Sequence, residues 1–350
     1  MKKVIALLFL AVLAVGALIG WGWYQDNRMP NFKGSADIYV RPGDTVEDVI
    51  GQIKEQTTII NENRLRAVFE EKQVKDYLKP GYFRLGKSNS SVYAARMFNN
   101  GWQSPVRLTL SGNLRIKSNI AAKIASQMLV DSLTVLNALN DPEFLKQFGC
   151  TPQTVFSVLV PDTYEIYWTA SVQEIFEKNK KAADAIWTEE NLSRAEALGL
   201  TRKQASILAS IVASESNYVP ELPLIAGVYL NRLTIGMPLQ ADPTVAFCFD
   251  YKPERILKRH LEVDSPYNTY KYNGLPPGPI CVPTREALDA VLHPDFGGTR
   301  GSGGNLYFCA NPDFSGKHIF ARTLTQHNAN ARAFQNELTR RARAKRAAGR

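Results

Sequence analysis

Residues 201–218 read TRKQASILASIVASESNY, and the whole chain is read from the position of one carboxylate in them, Glu215. Thr201 can cap a helix, and Gln204 stands three residues later, the spacing of a capping box. Ile207, Leu208, Ile211 and Val212 recur at helical spacing. At about 100° per residue they form one stripe, with Ser206, Ser210 and Ser214 towards the opposite side. One further turn puts Glu215 near the middle of that stripe, four residues after Ile211. A carboxylate placed there must be paired, leave the helix, or line a cleft. In a cleft, lost hydration raises its pKa, and a Glu so raised is a proton donor near neutral pH. If the helix instead frays at Ser214, Glu215 is a solvated end residue. Periodicity leaves both readings open.

The 350 residues suit two or three domains, and 45% hydrophobic content is enough for real cores. The net charge of +9 is uneven, because Arg340–Arg350 (RRARAKRAAGR) carries six positive charges and no acid. Such a tail can meet anionic lipid or an acidic polymer, or simply be solvated. With no aromatic-interleaved basic patch or RNA-binding signature beside it, no nucleic-acid partner is expected.

Lys2 and Lys3 precede Val4–Tyr24, a run of 21 uncharged residues that is long enough to cross a bilayer. It ends in Trp21, Trp23 and Tyr24, an interfacial aromatic belt. The lysines place the N-terminus in the cytoplasm, and residues 25–350 outside it. No small-x-small cleavage site follows, which favours an uncleaved anchor over a signal peptide. Gly16 and Gly20 make a small-xxx-small pair of the kind found on helix dimer faces, the only feature that bears on a dimer. Cys150, Cys248, Cys281 and Cys309 show no CxxC, and the four histidines show no ligand spacing with them. No metal site and no cofactor are expected, while pairing among the cysteines stays open.

In chain order, residues 25–35 read as a linker. Residues 36–105 read as a small α/β unit: a strand near Ile38–Val40, a helix capped by Thr45 with Asp48, a helix over about 61–78, a strand at Tyr82–Leu85, and a helix over 88–99. A strand at Val106–Leu110 follows, then helices near 116–129, 132–139 and 141–148, and a charged helix over about 171–196. Past Glu215 a second helix covers 224–233. Loops at 264–270 and 273–280 are rich in Pro, Asn and Tyr, which suits a sugar- or peptide-binding rim and equally an ordinary connection. Thr284 caps a helix to about His293, and Gly297–Gly304 (GGTRGSGG) reads as a flexible insertion. A hairpin flanks Asp313–Gly316, and a last helix starts near Gln326.

Several blocks stand in one order: VPDTY at 160–164, ASIVASES around Glu215, LNRLTIGMPLQADPTV at 230–245, SPYNTY at 265–270, GLPPGPI at 274–280, LYF at 306–308 and HIFARTLTQHN at 318–328. Together they resemble the membrane-anchored endolytic murein transglycosylase (YceG-like) family, over roughly residues 106–335. Residues 36–105 resemble a LysM-like module. The resemblance implies an α+β protein: a transmembrane anchor within 1–24, the linker, a LysM-like α/β subdomain at 36–105, a mixed α/β YceG-like catalytic region at 106–335 with its core at about 200–335, and a basic tail at 336–350.

By position the family's catalytic acid falls on Glu215. The family often carries a second acid two residues earlier, where this chain has Ala213. The implied reaction cuts the MurNAc-β-1,4-GlcNAc bond of nascent peptidoglycan and leaves a 1,6-anhydro end, ending strand growth. One Glu suffices, because the nucleophile is the sugar's own C6 hydroxyl. Gln240, Asp242, Thr244, Asn268, Thr269 and Tyr270 are candidates for holding the glycan, each with a loop-fixing hydrogen bond as its alternative. Partners implied are peptidoglycan strands, glycan-polymerising synthases, and the inner membrane through residues 4–24. Two competing readings remain: a hydrolytic muramidase with Asp242 as second carboxylate, and a non-catalytic peptidoglycan-binding scaffold.

Overall fold

The computed structural model describes residues 2–112 and 114–348. They fall into two units. The first comprises residues up to 108 with 127–130 and 164–171. It opens with α1 (Lys2–Asn27), whose side chains are exposed along the apolar run. At 1.5 Å per residue this helix is about 39 Å long, and it is apolar enough to cross a membrane. The same character suits a single-pass anchor and a signal sequence. Its last turns are fastened by the Arg64 guanidinium, which bonds the Gly22 carbonyl at 2.6 Å and also Gln25 and Asp26.

β1 (Ala36–Val40) and β2 (Gly81–Leu85) pair antiparallel with Ile38 opposite Phe83. Between them run α2 (Val46–Gln56), α3 (Glu62–Glu71) and α4 (Val74–Tyr77), and α5 (Ser91–Asn100) follows. Thr45 and Asp48 form the predicted capping box. The helix predicted over 61–78 is broken instead, because Gln73 takes a left-handed φ of 54°. Ile38, Ile50, Leu65, Phe83 and Phe98 are among the residues that make the core. The chain passes between the units within β3 (Pro105–Leu110) and β4 (Asp162–Tyr167), which form the second two-stranded sheet.

The second unit begins with the short helices α6 (Lys117–Ala125), α7 (Ser132–Ala138) and α8 (Pro142–Lys146). The charged helix predicted over 171–196 is two, α9 (Val172–Ile186) and α10 (Glu189–Ala197). Thr188 starts the second by accepting the Asn191 amide, satisfying an orphan donor that a continuous helix would not have. Then come α11 (Arg202–Glu215), α12 (Leu222–Thr234), α13 (Asp242–Phe247) and α14 (Arg285–Leu292). β5 (Tyr307–Ala310) and β6 (His318–Ala321) close the predicted hairpin with Phe308 opposite Phe320, and α15 (Leu324–Ala348) ends the chain.

α11 is the centre of this unit. Leu208, Ile211 and Val212 are fully buried against α12 and α14. Burying each contributes about 1.5–3 kcal/mol. The serine side of the helix is buried as well: Ser206 is 3% exposed and Ser210 0%. Ser210 Oγ donates to the Ile207 carbonyl at 2.7 Å and accepts the Ile280 amide at 3.0 Å. A small side chain lets the 274–280 loop lie directly on the helix, and the hydroxyl satisfies a backbone donor that burial would otherwise strand. The same loop approaches a second backbone at Gly278, where a Cβ would lie 1.9 Å from the Gln153 carbonyl oxygen.

The segment read as a flexible insertion is tied down. Asn231 is wholly buried; its amide nitrogen donates to the Phe296 and Asn305 carbonyls, and its oxygen accepts the Gly301 amide at 2.7 Å. Arg300 bonds the Leu198 carbonyl at the end of α10 at 2.8 Å. All four cysteines are free thiols.

Candidate active site

The capping box at Thr201 and Gln204 starts α11 as predicted, and the helix continues unfrayed through Glu215, its last residue. The chain then turns through Pro220 and returns as α12. This brings Tyr229, 14 residues on, over the helix end. The Tyr229 hydroxyl donates to Glu215 Oε1 at 2.5 Å. Tyr229 itself is 2% exposed, and its ring meets Phe308 edge to face.

Glu215 is half-buried at its surface, with its carboxyl set deep among protein atoms. That burial pushes its pKa up to about 7. The Tyr229 hydrogen bond and the positive charge of Arg232 pull the other way, while the negative charge of Asp242 adds to the rise. Burial, and then Glu215, hold the Tyr229 phenol well above its ordinary value, so Tyr229 remains a donor. Near neutral pH the site therefore holds one carboxyl able both to give and to take a proton, with one oxygen fixed by Tyr229.

The six candidate glycan-holding residues divide by geometry. Asp242 opens α13, is exposed, and accepts the Tyr270 hydroxyl at 2.6 Å. Tyr270 is half-buried beside it, and burial followed by the Asp242 contact raises its pKa. Gln240 is exposed, in the left-handed region at φ 50°, with its amide on the Thr269 carbonyl. Thr244, Asn268 and Thr269 are at most 1% exposed. Thr269 Oγ1 accepts the Ala241 amide at 3.0 Å and shares a 2.9 Å hydrogen bond with Thr244 Oγ1. Asn268 donates to the Leu261 and Val263 carbonyls and accepts from the Tyr270 amide. These three lock the 239–245 and 261–270 segments together, leaving Gln240, Asp242 and Tyr270 at the surface.

Three features escape sequence reasoning. Arg232, 8% exposed, bonds the Leu306 and Leu239 carbonyls at 2.7 Å each and lies over the Tyr307 ring. The one available signal is a cation inside the apolar run LIAGVYLNRL. Tyr229 gives no separate signal. Glu221, 5% exposed, accepts Ser216 Oγ at 2.6 Å, His318 Nδ1 at 2.8 Å and the His318 amide at 3.0 Å. Burial alone would raise its pKa, but these hydrogen bonds outweigh it and hold it below the ordinary carboxylate range. Glu221 is thus a structural anion that pins β6 to the residue after the candidate acid. A cavity of about 710 Å³ near Thr201, Gln204, Leu275 and Arg300 includes none of the site residues.

A buried carboxyl with a near-neutral pKa, donor-held on one oxygen and beside an exposed polar rim, is equipped for acid–base catalysis. Known proteins agree on the kind of chain that carries it. A model of the YceG-like family matches residues 38–333. An endolytic murein transglycosylase of Bacillus subtilis is 27% identical over 314 residues, 85% of this chain and 84% of that protein. One from Streptococcus pneumoniae is 26% identical over 93% of this chain, which spans 63% of that longer protein. The crystal structure of a YceG-like protein from Listeria monocytogenes superposes with a TM-score of 0.55 at 27% identity, covering 85% of this chain and 99% of that one. With most of its length matched, the chain belongs to the YceG-like family.

Proposed function

We propose that the protein is an endolytic peptidoglycan lytic transglycosylase, a carbon–oxygen lyase that cuts within nascent glycan strands at MurNAc-β-1,4-GlcNAc bonds. The observation that carries this reading is the environment of Glu215. In its protonated form Glu215 gives its proton to the glycosidic oxygen as the C1–O bond breaks, and positive charge develops at C1. The resulting carboxylate takes the proton of the same sugar's C6 hydroxyl, and O6 bonds to C1. The acid is regenerated, no water is consumed, and the new end is a 1,6-anhydro sugar. A pKa of about 7 suits both halves. Tyr229 holds Oε1, so Oε2 carries the proton. Gln240, Asp242 and Tyr270 form the glycan rim, and Thr244, Asn268 and Thr269 support it.

In this reading α1 is an uncleaved inner-membrane anchor with its N-terminus in the cytoplasm. Residues 36–105 act as a LysM-like wall-binding unit, and the natural partners are synthases whose growing strands the cut terminates. A hydrolytic muramidase would need Asp242, whose Oδ1 accepts the Tyr270 hydroxyl, as a second carboxylate, and the product end distinguishes that reading. The full-length protein in detergent, incubated with nascent peptidoglycan, should release anhydro-ended muropeptides, and Glu215→Gln should not. Reducing ends, one water heavier, would establish hydrolysis instead. Unchanged glycan lengths with retained binding to sacculi would establish a scaffold.

A further inference from the structure

The second unit contains a cavity of about 840 Å³ that the proposed chemistry does not use. Its volume lies within the range of small-ligand sites. Phe247, Tyr251 and Tyr267 build an aromatic wall: Phe247 lies 4.6 Å from the Tyr267 ring and 6.2 Å from that of Tyr251. Arg115 lies over the Tyr251 ring at 5.1 Å. Lys117 opens α6, with its ammonium on the Asn140 side-chain oxygen at 2.8 Å.

Both cations are half-buried, and among the described residues neither has a carboxylate within ion-pair distance. Burial pulls the Lys117 pKa down, the mark of an ammonium lacking a counter-charge. At the rim, Lys252 and Asp250 pair at 3.3 Å and cancel, so the cavity keeps two positive charges.

The cavity also adjoins the candidate acid. The Tyr251 hydroxyl bonds the Ile280 carbonyl at 2.7 Å and meets Ser214, the residue before Glu215. Tyr267 directly precedes the locked Asn268 and Thr269. α13 joins the two places: its first residue, Asp242, acts electrostatically on Glu215, and its last, Phe247, lines the cavity. Six residues of helix span about 9 Å, the length of about three residues of extended peptide.

From this arrangement we infer that the Arg115–Lys117 cavity is a subsite for the carboxylate-bearing stem peptide of peptidoglycan. The inference rests on the peptidoglycan reading above. Peptide-bearing amino sugars are neutral, so the anions of the substrate lie on the stem, and a stem on a muramic acid at Glu215 would reach the cavity within its own length. Paired carboxylate–guanidinium and carboxylate–ammonium contacts would supply the counter-charges both side chains lack. The aromatic wall would carry the apolar flank of the peptide.

The test uses full-length protein in detergent and two substrates: nascent strands bearing stems, and the same strands after amidase removal of the stems. Arg115→Ala and Lys117→Ala should each lower kcat/KM on stem-bearing strands about tenfold, through KM with kcat unchanged, and leave cleavage of stem-free strands as in the parent. Arg115→Lys should recover most of the loss. Equal losses on both substrates, or none on either, would overturn the subsite. A loss confined to stem-free strands, whose lactyl groups are free carboxylates, would assign the cavity to that group and also overturn it. A catalysis-free arm separates the two proposals: Glu215→Gln protein should bind the free tetrapeptide stem more tightly than its carboxamide-capped form, and Arg115→Ala together with Lys117→Ala in that background should abolish the difference. That binding can survive even if the product end shows the reaction to be hydrolysis, and it can fail while anhydro ends are still made.

Discussion

Removing the Tyr229 hydroxyl isolates the balance that sets the acid. Tyr229→Phe keeps the ring against Phe308 and deletes only the donor to Glu215 Oε1. That hydrogen bond favours the ionised carboxyl, against burial and the charge of Asp242. A hydrogen bond to a charged group is worth about 1.5–3 kcal/mol, and 1.36 kcal/mol corresponds to one pH unit. The Glu215 pKa should therefore rise from about 7 by roughly one to two units. A general acid works while protonated, so the alkaline limb of the kcat/KM profile should move up by that amount. At pH 8 the variant should keep a larger share of its own maximum than the parent does. Its maximum should be lower, because Glu215 loses its orientation and, with its pKa raised, becomes a weaker acid in the first half-reaction. The assay is the initial rate of anhydro-muropeptide release from nascent strands between pH 5 and 9. An alkaline limb that stays in place or moves down, in a variant with the parent's Tm, would refute the reasoning.

Three further outcomes follow from the same geometry. Asp242→Asn removes the charge that helps raise the Glu215 pKa, so the alkaline limb should move down while the product stays anhydro-ended; loss of all activity without unfolding would make Asp242 a reacting group. A carboxyl whose folded pKa is about 7 and whose ordinary value is 4.5 binds more protons folded than unfolded, so it costs stability that is absent below about pH 4.5 and complete above about pH 7. Glu215→Gln should accordingly gain up to about 3 kcal/mol at pH 8 and little at pH 4.5, read as the difference in urea midpoint; an equal gain at both pH values would contradict the burial of the carboxyl. Gly278→Ala places a Cβ 1.9 Å from the Gln153 carbonyl oxygen and should lower Tm by several degrees, with an unchanged Tm showing that the loop gives way.

Local rules were legible in the sequence, and long-range ones were not. The capping boxes at Thr45 and Thr201 and the hairpin follow from spacings within a few residues, while periodicity leaves open whether α11 reaches Glu215. The breaks at Gln73 and Thr188 were missed, because helical periodicity continues across both and a single cap or a single left-handed residue decides. The burial of the serine side of α11 has no signal in the helix itself, because it depends on the 274–280 loop, whose Ile280 amide is 70 residues from Ser210. Glu221 meets His318 across 97 residues, and no pattern in either segment announces it. The same limit applies at the rim. Loop composition marks 264–270, and the family resemblance adds residues of 230–245, while the Thr244–Thr269 hydrogen bond, which turns threonines inward and leaves Gln240 and Tyr270 outward, exists only once the loops meet.

The most direct test is the chemical nature of the new glycan end. Mass spectrometry of strands cut by the full-length protein should find muramic acid ends one water lighter than reducing ends, and none after incubation with Glu215→Gln. Reducing ends from the parent, or anhydro ends from a folded Glu215→Gln, would contradict the assignment of Glu215 as the lone acid and base.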